Sequence, residues 1–194
     1  MPDDEGLALC DIAREVGSQF PHATMLEIGS WCGKSAVYLA IGAEETGAVV
    51  FSVDHHHGSE ENQQGWEHFD QDLVDPADGR LNTLPHFQRT IATAQLEGTV
   101  VGIVGDSLTV ARHWSTPLHL LFIDGGHGEV VAHADYDAWS SKVAIHGILA
   151  IHDVFEDPAD GGRPPFEIYQ RALASGAFAL VDRCGSLALL RRIR

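Results

Sequence analysis

The chain predicts a doubly wound α/β domain built on a mostly parallel, seven-stranded sheet, and three observations predict it. Short apolar runs alternate with segments of helical periodicity, the pattern of βαβ units covered on both faces. Those runs end in Gly, Asp or His, which crowd the ligand-binding edge of such sheets. The chain closes with two apolar runs around a Cys-Gly-Ser turn, which reads as an antiparallel hairpin.

Leu9, Ile12, Ala13 and Val16 recur at helical spacing, so residues 4–17 form an opening amphipathic helix. "ATMLEI" (23–28) is the first strand; a glycine turn stops it, and the helical "KSAVYLAIGAEE" follows. "AVVFSVD" (48–54) is the second strand. Residues 55–80 are polar and irregular, with clustered Asp, Glu, Gln and His. Thr83 can cap a helix that has Pro85 in its first turn and Leu84, Phe87 and Ile91 along one face. "TVVGIVG" (99–105), "LHLLFID" (118–124) and "GILAIHD" (147–153) are strands three to five, with a helix marked by Val131, Ala134 and Ala138 before the last. Pro164 and Pro165 precede a helix bearing Phe166, Tyr169 and Leu173, and Gly176 ends it. "FALVDRCGSLALLRRI" supplies the hairpin. Without repeats or low-complexity tracts, residues 1–194 read as one domain, with 55–80 as a polar lid or substrate loop.

Composition narrows the partners. Twelve Lys plus Arg stand against 28 acids, a net charge of −16 with neutral His. Such a surface repels phosphate backbones and anionic lipid, which argues against nucleic acid and membranes as partners. "MPDDEG" lacks the apolar core of a signal peptide, and no apolar run approaches the ~20 residues that span a bilayer. Cys10, Cys32 and Cys184 are widely spaced with no C-x-x-C. They fit reduced thiols in a cytoplasmic protein better than a disulfide framework or a zinc ribbon.

"EIGSWCGKSA" (27–36) nearly spells a P-loop, but only three residues separate Gly29 from Gly33 where the nucleotide cradle needs four. A glycine turn between strand and helix offers backbone N–H groups to a ligand. Glu27, immediately before it, would repel a triphosphate and suits a cationic group or hydroxyls. Asp54, ending the next strand, stands where a carboxylate holds a ribose diol. Taken alone it could also be a solvated turn acid. Together the pair suggests an adenosine ligand without phosphates.

With "EIGSWCG", Asp54, "GDS" (105–107) and "IDGGH" (123–127) in this order, the chain resembles the class I S-adenosylmethionine-dependent methyltransferases over roughly residues 22–192. The resemblance implies a Rossmann-like methyltransferase fold. It implies that Glu27, Gly29, Ser30, Gly33 and Ser35 form the cofactor turn and that Asp54 holds the ribose hydroxyls. By the same resemblance His55 flanks the adenine, Asp106 and Ser107 meet its edge, and Asp124 adjoins the cofactor.

"FIDGGH" followed by "AIHDV" resembles the metal-dependent O-methyltransferase branch of catechol and macrocin type. That resemblance implies Asp124 and Asp153 as ligands of a divalent metal, Mg²⁺ in the family, with His152 at the third position. His152 departs from the usual acid there; imidazole suits softer ions, so it can instead contact substrate or leave magnesium an extra water. His127, three residues after Asp124, stands where catechol-type enzymes carry their general base, with His152 as its rival. The chemistry is coherent: a metal lowers the pKa of an acceptor hydroxyl and an imidazole accepts its proton at neutral pH.

His56, His57, Trp66 and His68 in the 55–80 segment read as acceptor contacts. A Trp face with neighbouring amides and carboxylates suits a sugar, although a merely solvated loop reads equally well. "DHHHGSEENQQGWEH" (54–68) resembles the actinobacterial methylmannose polysaccharide 1-O-methyltransferases. That likeness implies a mannoside acceptor in polysaccharide biosynthesis, and such enzymes often form homodimers. Other readings stand beside it: a His-rich metal-dependent hydrolase or oxygenase, or a non-catalytic subunit that binds an adenosine ligand. A nicotinamide dehydrogenase fits less well, because the turn lacks G-x-G-x-x-G.

Overall fold

The computed structural model describes all residues except Glu67, His68, His127 and Pro158, and also leaves out the side chain of Glu61. In chain order the elements are α1 (Asp3–Gln19), β1 (Thr24–Ile28), α2 (Lys34–Glu44), β2 (Val49–Asp54), α3 (Leu84–Thr93), β3 (Val100–Val104) and α4 (Ser107–His113). They continue with β4 (Leu118–Ile123), α5 (Glu129–Trp139), β5 (Val143–Ile151), α6 (Arg163–Ala174), β6 (Phe178–Cys184) and β7 (Leu187–Arg192).

The sheet runs β3-β2-β1-β4-β5-β7-β6. The first five strands pair in parallel, and β7 lies antiparallel to both β5 and β6. Successive strand residues face opposite sides, so each central strand feeds two cores. Met25, Leu120, Ile148 and Leu189 pack beneath α1, α2 and α3. Their neighbours Leu26, Leu121, Leu149 and Leu190 pack with Trp139 and Ile168 on the other face. Burial on both faces is why these strands read as unbroken apolar runs rather than alternating ones.

Local differences from the sequence reading have local causes. The helix α4 was not foreseen, because only Ala111 of its seven residues is buried and no apolar stripe marks it. Asp106 starts it, its side chain accepting from Thr109 N at 2.8 Å. Helix α5 buries Ala132, Asp135, Tyr136 and Trp139, not the stripe of Val131, Ala134 and Ala138. Thr83 precedes α3 without a side-chain cap; its hydroxyl meets His56 Nδ1 instead, at 2.8 Å. Strand β5 begins at Val143, and its register against β4 shifts between Leu118 and Leu120. No helix among the described residues is long and apolar enough to cross a membrane.

From β1 the chain moves outward to β2 and β3, then returns to lay β4 on the other side of β1. This reversal opens a crevice at the carboxyl ends of β1 and β4, where doubly wound sheets bind ligands.

Candidate functional site

The crevice is a cleft of about 560 Å³, walled by Gly29, Ser30 and Trp31 from the glycine turn, Asp54 at the end of β2 and His55 after it, and Asp106 and Ser107 at the start of α4. Asp124, Asp153 and the α5 residues Val131, Ala134 and Asp135 complete it. This volume falls within the range of small-molecule sites.

Backbone geometry makes the turn. Gly29 has φ 85°, and a Cβ there would lie 2.3 Å from the Asp124 carbonyl oxygen, so both its conformation and its neighbour demand glycine. Asp54 staples the turn to β2: its Oδ2 accepts from Ser30 N and Trp31 N, both at 2.9 Å. Its Oδ1 accepts from His56 N at 2.7 Å. Ser35, in the first turn of α2, also reaches the wall.

Two cofactor residues expected from sequence lie elsewhere. Gly33 is not on the wall; a Cβ there would meet Phe87 and Thr90 of α3, so its job is close helix packing at the start of α2. Glu27 is fully buried behind the turn. Ser52 Oγ donates to its Oε1 at 2.6 Å, and Oε2 has no hydrogen-bond partner among the described residues. Burial pushes its pKa up to about 8, against the lowering effect of Ser52 and Ser35, so the carboxyl is mostly protonated at neutral pH. The cause of the misplacement is strand pleat: Glu27 shares a face with Met25, under the helices.

Asp106 accepts from both the backbone N and the hydroxyl of Thr109, which holds its pKa below the usual carboxylate value. Ser107 Oγ accepts from Trp139 Nε1 at 2.8 Å and hydrogen-bonds Asp135. Asp135 is buried in the cleft wall, and burial raises its pKa to about 6 despite the Ser107 contact. It was absent from the sequence reading, yet Ala132, Asp135, Tyr136 and Trp139 follow helical spacing with an acid inside the stripe.

Asp124, His152 and Asp153 each offer one ligand atom, all within 4.8 Å of one another. His152 Nδ1 lies 3.0 Å from Asp124 Oδ1 and 3.1 Å from Asp153 Oδ2. Asp153 reaches this position from a left-handed backbone, φ 55°, an uncommon conformation that clusters at functional sites. Behind the ring, His152 Nε2 lies 2.7 Å from Glu5 Oε2 of α1. Burial alone would lower the His152 pKa; Asp124 and Asp153 outweigh it and raise it to about 11. His152 is therefore not the general base: it is 5% exposed, stands off the cleft wall, and faces carboxylates on both nitrogens. The donors do fit a divalent cation, for Nδ1 is buried without hydrogen-bond geometry to any group among the described residues, aimed between two carboxylates.

The histidine triple does not converge. His55 lines the cleft and stacks on His57 with ring centres 6.0 Å apart. His57, exposed, hydrogen-bonds the Leu81 carbonyl through Nδ1. His56 is corrected as an acceptor contact: it is 2% exposed, its ring tilted against Phe87 and tied to Thr83. Trp66 is exposed and stands off the cleft wall, as does His57; Gly58, Ser59 and Asn62 supply that part of the wall. His68 and His127 lie outside the described residues.

Solved structures share this architecture. An O-methyltransferase from Bacillus cereus in complex with SAH is 16% identical, with TM-score 0.69, covering 100% of this chain and 82% of that one. TomG from Streptomyces achromogenes, an O-methyltransferase of tomaymycin synthesis in complex with SAM, is 12% identical with TM-score 0.68, covering 100% and 82%. An rRNA methylase from Streptococcus thermophilus is 12% identical with TM-score 0.60, covering 95% and 94%. At such identities the likeness is one of fold, and the acceptors differ across it. The sequence itself matches the methyltransferase-domain family over residues 26–154, from β1 through the strand that delivers His152 and Asp153. The chain belongs to that methyltransferase-domain family.

Proposed function

We propose that this methyltransferase uses S-adenosylmethionine and methylates a hydroxyl of a small polyhydroxylated acceptor, a sugar such as a mannoside, with a divalent cation held by Asp124, His152 and Asp153. The observation that carries the reading is that one cleft contains both the Asp54-stapled glycine turn and the carboxylates of Asp124 and Asp153. When bound, S-adenosylmethionine supplies an electrophilic sulfonium methyl, and the cation a Lewis acid that lowers the pKa of the acceptor hydroxyl.

The chain's own groups do the rest. Asp54 Oδ1, which accepts a single backbone bond, keeps acceptor capacity for a ribose hydroxyl. Asp106, Ser107 and Asp135 give the polar end of the nucleoside pocket, and Leu108, Val131 and Ala134 its apolar side. The His127 imidazole takes the acceptor proton, consistent with its sequence position after Asp124. The exposed Trp66 ring, although off the cleft wall, supports the sugar reading, because it offers an aromatic face in a polar segment.

Calorimetry with S-adenosylhomocysteine tests the cofactor, and no binding at high micromolar ligand rejects it. A transfer assay on mannosides with and without chelator tests the metal: activity should vanish with EDTA and return with added cation. His127→Ala should lower turnover by roughly 10²- to 10⁴-fold while leaving S-adenosylhomocysteine affinity intact.

A further inference from the structure

Glu5 is an acid on the buried face of an amphipathic helix, in line with Leu9, Ile12 and Ala13. It is 2% exposed, and both of its carboxylate oxygens are hydrogen-bonded. Oε1 accepts from Ser186 N at 2.5 Å and from Ser186 Oγ at 2.9 Å, at the tip of the β6–β7 hairpin. Oε2 meets His152 Nε2 at 2.7 Å. An ionised carboxylate only accepts, so Nε2 must carry a proton.

The consequence appears on the opposite side of the ring. With Nε2–H held toward Glu5, the proton that a bound cation would displace is the one on Nδ1, which leaves the lone pair on that buried atom, without hydrogen-bond geometry among the described residues and lying between Asp124 Oδ1 and Asp153 Oδ2. Outer carboxylates commonly orient metal-bound imidazoles in this way, and their loss typically costs 10- to 100-fold in metal affinity.

We propose that Glu5 is the positioning residue of the cation site: by accepting the hydrogen bond from Nε2–H it turns Nδ1 of His152 toward Asp124 and Asp153 as the ligand nitrogen, making a nitrogen–oxygen donor set that holds a transition ion such as Mn²⁺ more tightly than Mg²⁺. The inference rests on reading these three residues as a cation site. It adds a fourth residue, from outside the matched segment 26–154, and a metal preference. It also gives α1 a second role, since its first turn closes the back of the site as well as packing on α2.

The test compares Mn²⁺ and Mg²⁺ binding to the full chain, by electron paramagnetic resonance of free Mn²⁺ and by Mg²⁺ competition. The wild type should bind Mn²⁺ at least about tenfold more tightly than Mg²⁺. Glu5→Gln keeps an acceptor for Ser186 but presents an amide N–H to Nε2, which moves the ring proton to Nδ1; Mn²⁺ affinity should fall roughly 10- to 100-fold. Ser186→Ala, which leaves the Nε2 contact in place, should keep Mn²⁺ affinity within about threefold and control for loosening of α1. Nitrogen-15 NMR of labelled histidines in the Zn²⁺-loaded wild type should show His152 protonated at Nε2, a readout independent of whether Glu5→Gln folds.

Equal Mn²⁺ affinity in wild type and Glu5→Gln, or a Zn²⁺-loaded His152 protonated at Nδ1, overturns the role of Glu5 and leaves the cation site standing. A wild type that binds neither ion overturns the cation site and this inference together. S-adenosylhomocysteine binding in the same samples judges the cofactor reading separately.

Discussion

Glu27 sits in the interior with one carboxylate oxygen bonded to Ser52 and the other without a hydrogen bond among the described residues. Its pKa rises from 4.5 to about 8 because burial disfavours the charge. Between those values the unfolded chain is ionised there while the folded protein still holds the proton. The contribution of Glu27 to stability is therefore complete below pH 4.5 and is lost as pH rises to about 8. The loss is roughly 3 to 5 kcal/mol. Glu27→Gln keeps the acceptor for Ser52 and removes the charge. The variant's melting temperature, relative to wild type, should climb steadily from pH 5 to pH 8 and then level off; a constant difference over that range would show that Glu27 does not titrate there. The sequence identified this acid but misjudged its direction, and pleat explains why: a strand residue next to a ligand turn has even odds of facing the core. Glu5 was overlooked for a related reason. It prolongs the stripe of Leu9 and Ile12, so it is inside by helical spacing, but the partner that gives it meaning lies 147 residues away.

At the scale of elements, α5 separates two jobs that its sequence blends. Its Ala132, Tyr136 and Trp139 side packs on the sheet, while Val131 and Ala134 face the cleft. Enlarging Ala134 should therefore fill the cleft without disturbing the core. Ala134→Phe is expected to weaken S-adenosylhomocysteine binding by at least about tenfold, or 1.4 kcal/mol, while the melting temperature stays within about 3 °C of wild type. A large loss of melting temperature, or unchanged affinity, would mean that Ala134 packs inward after all. The residues that mark this helix in the sequence divide between the two: Val131 and Ala134 line the cleft, while Ala138 packs against the core. Both look apolar, because a nucleoside-sized pocket is lined much as a core is. The central strands were more legible than the helices, since burial on both faces makes β4 and the end of β5 nearly unbroken apolar runs. The helix α4 gave no such signal, being short and having one buried residue.

Across the whole molecule, strand order determines where chemistry can occur and charge determines what can approach. Reversal of direction at β1 brings the ends of β1, β2, β4 and β5 to one cleft, so residues as far apart as Gly29 and Asp153 share a wall. The alternation of elements predicted that edge. It did not specify which side chains at the edge point inward, because that depends on pleat, on the left-handed backbone of Asp153 and on contacts from α1. The same edge is acidic, with Asp54, Asp106, Asp124, Asp135 and Asp153 around it, on a chain of net charge −16. Folding brings these like charges together, and their repulsion opposes the compact state. Mobile salt screens exposed charges over about 8 Å at physiological ionic strength, so added salt should relieve that repulsion. Thermal melts at pH 7.5 should therefore rise by a few degrees as NaCl increases from roughly 0.02 to 0.3 M, the range over which the screening length falls most. Mn²⁺ at well below millimolar concentration should raise the melting temperature further at fixed ionic strength, because a bound ion stabilises by mass action and not by screening. Asp124→Asn should abolish the Mn²⁺ increment and preserve the NaCl increment, which separates a held cation from general relief of negative charge; loss of both increments, or of neither, would contradict this division.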